Sequence, residues 1–398
     1  MNNILSSIDL QKHRQQFPGL TNKTYFNFGG QGTMPDTALS AIIDTHKYIQ
    51  QVGPFSGKVN NWLTEKVDLL RSAIASELNT TPETITLTEN VTAGCNIAMW
   101  GIDWRQGDRI LMTDCEHPGI IATVEEIARR FGVEVAVCPI MDTLNDGDPV
   151  EVIGTNLTEN TRLVVLSHLL WNTGQILPLK AIAKACHNYP AQHKIRVMVD
   201  AAQSVGSLHL NLPELEIDYY AFTGHKWLCG PAGVGGLYIS RDAFNELHPT
   251  FIGWRGVEMD AKGKPTGWKQ DGTKYEVATS AYPEYEGLRN AIALHQDCGT
   301  SAQRYQRICE LSQYLWKGLQ TIDRVSCLKQ TPPEAGIISF TVARVEHKQL
   351  VADLEKQGFL LRTIADPDCI RACVHYLTLT EECDRLISVI DRTLSVSE

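Results

Sequence analysis

Short, nearly continuous runs of aliphatic residues recur through the first half of the chain with helical patterns between them, and no other feature restricts the fold as much. The runs lie at residues 85–87, 109–113, 133–139, 163–167 and 195–199. They are apolar at successive positions rather than at every second one, as a strand must be when both faces of its sheet are covered. Between them, residues 62–78 set Val67, Leu70, Ile74 and Leu78 at steps of three and four, and residues 120–131 and 180–187 also read as helices. Strand, helix and strand in alternation predict an open, mostly parallel α/β sheet. Residues 219–222 and 235–239 add two strands around a polar, glycine-rich stretch.

The pattern then changes. Residues 286–322 read as helix with Gly299 and Gly318 as weak points, a candidate link between two domains. Strand-like runs follow at 336–342, 359–363 and 370–377, with helices at 348–357 and 381–394. No low-complexity linker or repeat interrupts the chain, so we expect a large α/β domain over residues 17–285 and a smaller α+β domain built from residues 1–16 and 286–398.

Charge and composition exclude several function classes. With 36 basic against 46 acidic side chains, the net charge is −10, which argues against nucleic acid, since a phosphate backbone is held chiefly by clustered Lys and Arg. The apolar runs fall well short of the roughly 18 residues of a membrane helix. Residues 1–16 lack the apolar core of a secretory signal. Eleven scattered cysteines do not form a paired framework. We therefore expect reduced thiols in a cytoplasmic protein.

Open parallel sheets bind ligands at the carboxyl ends of their strands. Five polar places follow apolar runs: residues 90–94, Glu116-His117, Trp171-Asn172, residues 200–203 and residues 223–226. A dinucleotide fingerprint fails, because Gly30-x-Gly32 continues to Pro35 and Gly233-x-Gly235 to Tyr238. A nucleotide phosphate loop fails too: Gly57-Lys58 precedes Val59, and Gly263-Lys264 precedes Pro265. The best metal pattern, Cys369, Cys373 and His375, lacks paired-cysteine spacing, and we expect no metal site.

Asp200 and Lys226 remain. An ionised aspartate closing an apolar run is costly to bury unless it meets a cation, and a desolvated lysine is suited to Schiff-base chemistry. Pyridoxal phosphate needs this pair, a lysine for its aldehyde and an acid for its ring nitrogen. Thr92, with the amides of Ala93 and Gly94, opens a helix and offers an anion site for the phosphate. Thr223 and His225 flank Lys226 as further donors, and His117 is placed to stack on a ring. Taken singly, each has a plainer reading: Asp200 as a turn residue, Lys226 on the surface, His117 in a loop, Thr92 as a cap. Their joint order at successive strand ends favours the cofactor.

Val199-Asp200-Ala201-Ala202-Gln203-Ser204 and Thr223-Gly224-His225-Lys226 resemble the two strongest motifs of the cysteine desulfurase group of fold-type-I pyridoxal phosphate enzymes, the class V aminotransferases. The likeness spans nearly the whole chain. It implies that fold, with a mostly parallel central sheet and a smaller α+β carboxyl-terminal domain. It also implies that Lys226 forms the Schiff base, Asp200 pairs with the pyridinium, Gln203 bonds the phenolic oxygen and His117 stacks on the ring, while Thr92, Thr223 and His225 hold the phosphate. Asn172 matches the asparagine near the substrate, and Arg371 the carboxylate-binding arginine. Residues 275–279 look like the stretch whose threonine, here Thr279, reaches the partner subunit's phosphate, which implies a homodimer.

One departure bears on the chemistry. Desulfurases carry a nucleophilic cysteine on a long loop after an Arg-x-Gly-His-His-Cys-like stretch, whereas here Arg362-Thr363 leads into Ile364-Ala365-Asp366-Pro367-Asp368-Cys369. Cys369 is read as structural. Without the nucleophile, we expect β-elimination: Lys226 takes the Cα proton, the sulfur leaves as a thiolate, and pyruvate and ammonia follow. Residues 26–32, with Gly30, and Gly253-Trp254-Arg255-Gly256 resemble the cyst(e)ine C–S lyases. That branch implies cystine or cysteine as substrate, with Arg362 and Trp254 beside it and an iron–sulfur or other sulfur-accepting protein as a further partner. The alternatives are a desulfurase or selenocysteine lyase giving alanine, an epimerase-like enzyme, or a non-catalytic member, since a fold alone does not fix a function.

Overall fold

Alternate residues of the central strands face opposite ways, and both ways lead into apolar core. In a computed structural model, which describes residues 7–395, Val164 and Leu166 pack into one core cluster while Leu163 and Val165 pack into another. Helices therefore cover both faces. The strands are β1 (Ile85–Thr88), β2 (Arg109–Thr113), β3 (Glu134–Cys138), β4 (Thr161–Ser167), β5 (Arg196–Asp200), β6 (Tyr219–Thr223) and β7 (Gly235–Ile239). They form one seven-stranded sheet in the order β1-β7-β6-β5-β4-β2-β3. All pairings from β6 to β3 are parallel, and only β7 runs against its two neighbours. This is the mostly parallel fold-type-I sheet expected from the sequence. The carboxyl ends of β1, β2, β4, β5 and β6 consequently share one edge.

A second sheet holds β8 (Val325–Cys327), β9 (Ile337–Val342), β10 (Arg362–Ala365) and β11 (Asp368–Cys373), antiparallel in the order β8-β9-β11-β10. With the helices Ser301–Leu319, His347–Lys356 and Thr380–Ser395 it encloses its own core around Phe340, Leu354 and Ile390. The amino-terminal segment is tied to this sheet: the amide of Phe26 donates to Leu360 O and that of Cys373 to Phe26 O. Gly29 and Gly30 are thereby carried across to the first sheet.

Three sequence expectations need correcting. The helix read over 286–322 is two helices, Tyr282–Asp297 and Ser301–Leu319. Gly299 takes a left-handed φ of 116°, and Thr300 starts the second helix with a capping box to Gln303. The run read over 359–363 divides at Leu361 into two strands that pair with different partners. The strand read over 370–377 ends at Cys373, and His375, Tyr376 and Leu377 turn into the interior. The helix Asp36–Val52 was not expected; it lies against the helix Tyr282–Asp297 where Gly287 faces the Ile42 side chain.

Candidate active site

The shared strand edge opens into a cavity of about 510 Å³ lined by residues from both sheets. Gly30, Thr92, His117, Asp200, Gln203, His225, Lys226, Arg362 and Arg371 all lie in its wall. Of the other residues singled out from the sequence, Thr223 stands one step behind, its hydroxyl 2.7 Å from Nδ1 of His225. Asn172 is buried beside the wall, its Nδ2 3.4 Å from Asp366 O and its Oδ1 without a partner. Thr279 and Trp254 are exposed, and neither lines the cavity of its own chain.

Asp200 closes β5 and is buried, with one carboxylate oxygen accepting the Ala202 amide at 2.9 Å. Burial raises its pKa, while the Ala202 amide, Lys226 and His117 pull the other way. Lys226 follows β6 in a loop pressed against the glycine segment: Gly32 N donates to His225 O at 2.8 Å, and a Cβ on Gly32 would stand 2.1 Å from Lys226 O. Burial lowers the lysine pKa to about 8; Asp200 opposes the shift, and Arg371 and Arg362 add to it. Burial therefore makes the neutral, nucleophilic form easier to reach near neutral pH than it is for an ordinary lysine.

Behind β1, Asn90 caps the helix Val91–Trp100 and accepts the Ala93 amide at 2.9 Å. The Ala93 amide is thus bound to the chain itself. The amides of Val91 and Thr92, ahead of any helical carbonyl they could bond, open the helix at the cavity wall. His117 caps the helix Pro118–Phe131, its ring 6.0 Å from that of Trp171 at 70°. The Gln203 side chain is held at both ends, donating to Gly29 O at 2.9 Å and accepting the Trp227 indole N–H at 2.9 Å. This donor set fits pyridoxal phosphate: an amine made less basic by burial, a buried carboxylate, an imidazole at the wall and an anion-binding helix terminus.

Arg371 reaches the cavity wall from the second sheet. It is buried on β11, donates through Nη1 to Trp171 O at 2.8 Å and leaves Nε without a partner. Arg362 sits directly across the strand pair and is exposed. Two further groups, Ser167 in the cavity wall and Glu116 bonded to it, received no role from the sequence. Glu116 is buried and accepts the Thr113 hydroxyl at 2.6 Å and the Ser167 amide at 2.9 Å, and burial still lifts its carboxyl to about 8. Ser167 ends β4 and Glu116 follows the end of β2 by three residues, the only signal the sequence carried for them.

The aminotransferase class-V family model matches residues 25–385. The chain belongs to that family. Among solved structures, this family member shares 54% identity with C-DES at a TM-score of 0.93, over 95% of this chain and 98% of the other, in a mutant with glycine covalently linked to its PLP cofactor. A second C-DES structure, the cystine C–S lyase with its reaction product cysteine persulfide, matches at 54% identity and TM-score 0.93, over 94% and 99% of the two chains. The probable cysteine desulfurase of Halobacterium salinarum is 25% identical over 417 residues, covering 98% of this chain and 97% of the relative.

Proposed function

We propose that this class-V aminotransferase family member is a pyridoxal phosphate-dependent C–S lyase, cleaving L-cystine, and L-cysteine more slowly, by β-elimination to pyruvate and ammonia. The observation that carries this reading is the place of Cys369. It lies buried within β11, opposite Ile364 across a hairpin whose turn is Asp366-Pro367. Burial raises its thiol to about 11, against an opposing hydrogen bond from Ser339. A nucleophilic thiol needs thiolate character and access, and Cys369 has neither. Among the described residues no cysteine lines the cavity, and Cys373, which faces Lys226, is itself fully buried. The likeness to C-DES supports the same reading.

Each residue then has a task. Arg371, oriented by the Trp171 carbonyl, binds the substrate α-carboxylate, and Arg362 stands at the same end of the cavity. Lys226 removes the Cα proton. Asp200 holds positive charge at the cavity floor, His117 covers the ring, and the amino terminus of the helix Val91–Trp100 receives the phosphate with Thr92 and His225. Bound pyridoxal phosphate supplies the electron sink for the charge left at Cα. Cystine is the better substrate because a persulfide is a less basic leaving group than hydrosulfide.

The reading extends to a cytoplasmic homodimer with the domain division at residue 285. Phe251, Ile252 and Trp254 are 74%, 61% and 54% exposed beside the exposed Thr279, and such an apolar surface suits a second copy. The persulfide is available to a sulfur-accepting protein, including one that assembles iron–sulfur clusters.

Cys369→Ala tests the thiol-free mechanism: kcat for pyruvate release from L-cystine stays within about twofold of wild type, since the change touches neither proton transfer nor substrate binding. Complete loss of sulfur release in a folded variant overturns the assignment. Arg371→Ala raises KM about ten- to a hundredfold, the weight of a hydrogen bond to a charged group, and an unchanged KM removes Arg371 from the site.

A further inference from the structure

Two buried histidines hold the carbonyls that immediately follow Lys226. Nε2 of His375 lies 3.1 Å from Trp227 O, and Nε2 of His295 lies 2.8 Å from Leu228 O. A ring nitrogen facing a carbonyl must carry the proton, so both rings present Nε2–H. Their Nδ1 atoms are then acceptors, from the amide of Leu377 at 3.4 Å and the hydroxyl of Tyr376 at 2.6 Å. The Tyr376 oxygen in turn accepts from Nε2 of His13 at 3.1 Å. The arrangement is consistent only with neutral His375 and His295, and burial lowers both pKa values.

The same rings join the three pieces of the site. His375 stacks on Phe28 at 4.5 Å and 15°, next to Gly29, whose carbonyl accepts from Gln203. Trp227, fixed through its carbonyl by His375, is fixed through its indole N–H by Gln203 at 2.9 Å. His375 itself lies four residues beyond Arg371 on the chain that leaves β11. One imidazole thus ties the lysine loop to the glycine segment and to the carboxylate-binding arginine.

We propose that His375 is a positioning residue for Lys226: its Nε2–H bond to the Trp227 carbonyl fixes the loop from which the reacting amine projects, in register with Arg371. The histidine of the cysteine and histidine pattern that the sequence rejects as a metal site serves here as a strut. The proposal rests on Lys226 being the reacting amine, and its test is read on that amine and on cystine consumption, whatever the carbon product.

The test compares His375→Phe, which keeps the stack on Phe28 but has no donor, with His375→Gln, whose amide can reach the same carbonyl. In the holoenzyme, a visible-absorbance titration reports the apparent pKa of the cofactor's bond to Lys226. The groups facing that amine, Asp200, His117, His225, Arg362, Arg371 and Cys373, are the same in every variant. We expect His375→Phe to shift the midpoint by about half a unit or more and to lower kcat for cystine consumption about ten- to a hundredfold with KM within about threefold. His375→Gln restores both. If His375→Phe does not fold, His375→Asn, whose amide stops short of the carbonyl, takes its place with the same expected order. A folded Phe or Asn variant with wild-type midpoint and kcat overturns the proposal, as does a Gln variant equally impaired.

Discussion

Lys226→Ala lowers kcat for L-cystine by about a thousandfold or more, with the fold intact. A positioned general base contributes roughly 10²–10⁴-fold, and the proposed function makes this lysine the amine that anchors the cofactor as well, so both roles go together. Its environment shows why no neighbour replaces it. Burial brings the amine to about 8, whereas the nearby Arg371 and Arg362 are guanidiniums, donors with no acceptor site for a proton. The backbone of the loop does not depend on the lysine side chain, because the Gly32 amide bonds the His225 carbonyl and the Cys229 amide bonds that of Lys226 itself. Thermal unfolding should therefore stay within a few degrees of wild type. Borohydride reduction followed by peptide mass analysis should find the cofactor on the Lys226 peptide of the wild type and on no peptide of the variant. Partial recovery of turnover with added ethylamine would identify the missing group as an amine. A variant retaining more than about a tenth of wild-type kcat contradicts the role.

Asp200→Asn has the next largest effect, about a hundredfold or more in kcat. The amide is nearly isosteric and can still accept from the Ala202 N–H, so the loop after β5 keeps its shape while the negative charge is lost. A fixed charge in a water-poor site is worth far more than one in solvent, and Asp200 is buried at the cavity floor. KM should change far less than kcat, because Arg371, to which the proposed function gives the substrate carboxylate, is untouched. Asp200→Glu, which restores the charge on a longer arm, should recover only part of the rate. If Asp200→Asn turns over cystine within threefold of wild type, the carboxylate does not stabilise positive charge during the reaction.

Residues at the ends of strands were legible before any coordinates. Asp200, Thr223 and His117 follow apolar runs, and in a parallel sheet every such end points to the same edge. The strand β5 runs Arg196–Asp200, one residue from its sequence estimate, because buried central strands announce themselves by continuous apolar composition. Long-range assembly was less legible. Nothing local in residues 26–30 says that they bond to β11, or that His375 lies under the lysine loop; both depend on how two sheets meet. The hydrogen bond from Trp227 to Gln203 and the Nε2 contact of His375 with Trp227 O join residues far apart in the chain, and no periodicity encodes them. The helix break at Gly299 was visible as a glycine but not as a stop, since an isolated glycine costs only about 1 kcal/mol in a helix interior. Its left-handed φ and the Thr300 cap turned a weak point into an end. Cys369 is the converse case. The short spacing between Arg362 and Arg371 already argued against a long loop, and the β10–β11 hairpin fills that interval with paired strand.

The carbon product from L-cystine tests the elimination chemistry most directly. Purified, cofactor-loaded protein is given L-cystine, and separately L-cysteine, and pyruvate, ammonia, alanine and sulfane sulfur are measured together. The account predicts one pyruvate and one ammonia for each cystine consumed, with the remaining half released as cysteine persulfide and no alanine. Alanine in proportion to the sulfur released would mean that a protein thiol accepts the sulfur, and would contradict the thiol-free elimination argued from the buried Cys369.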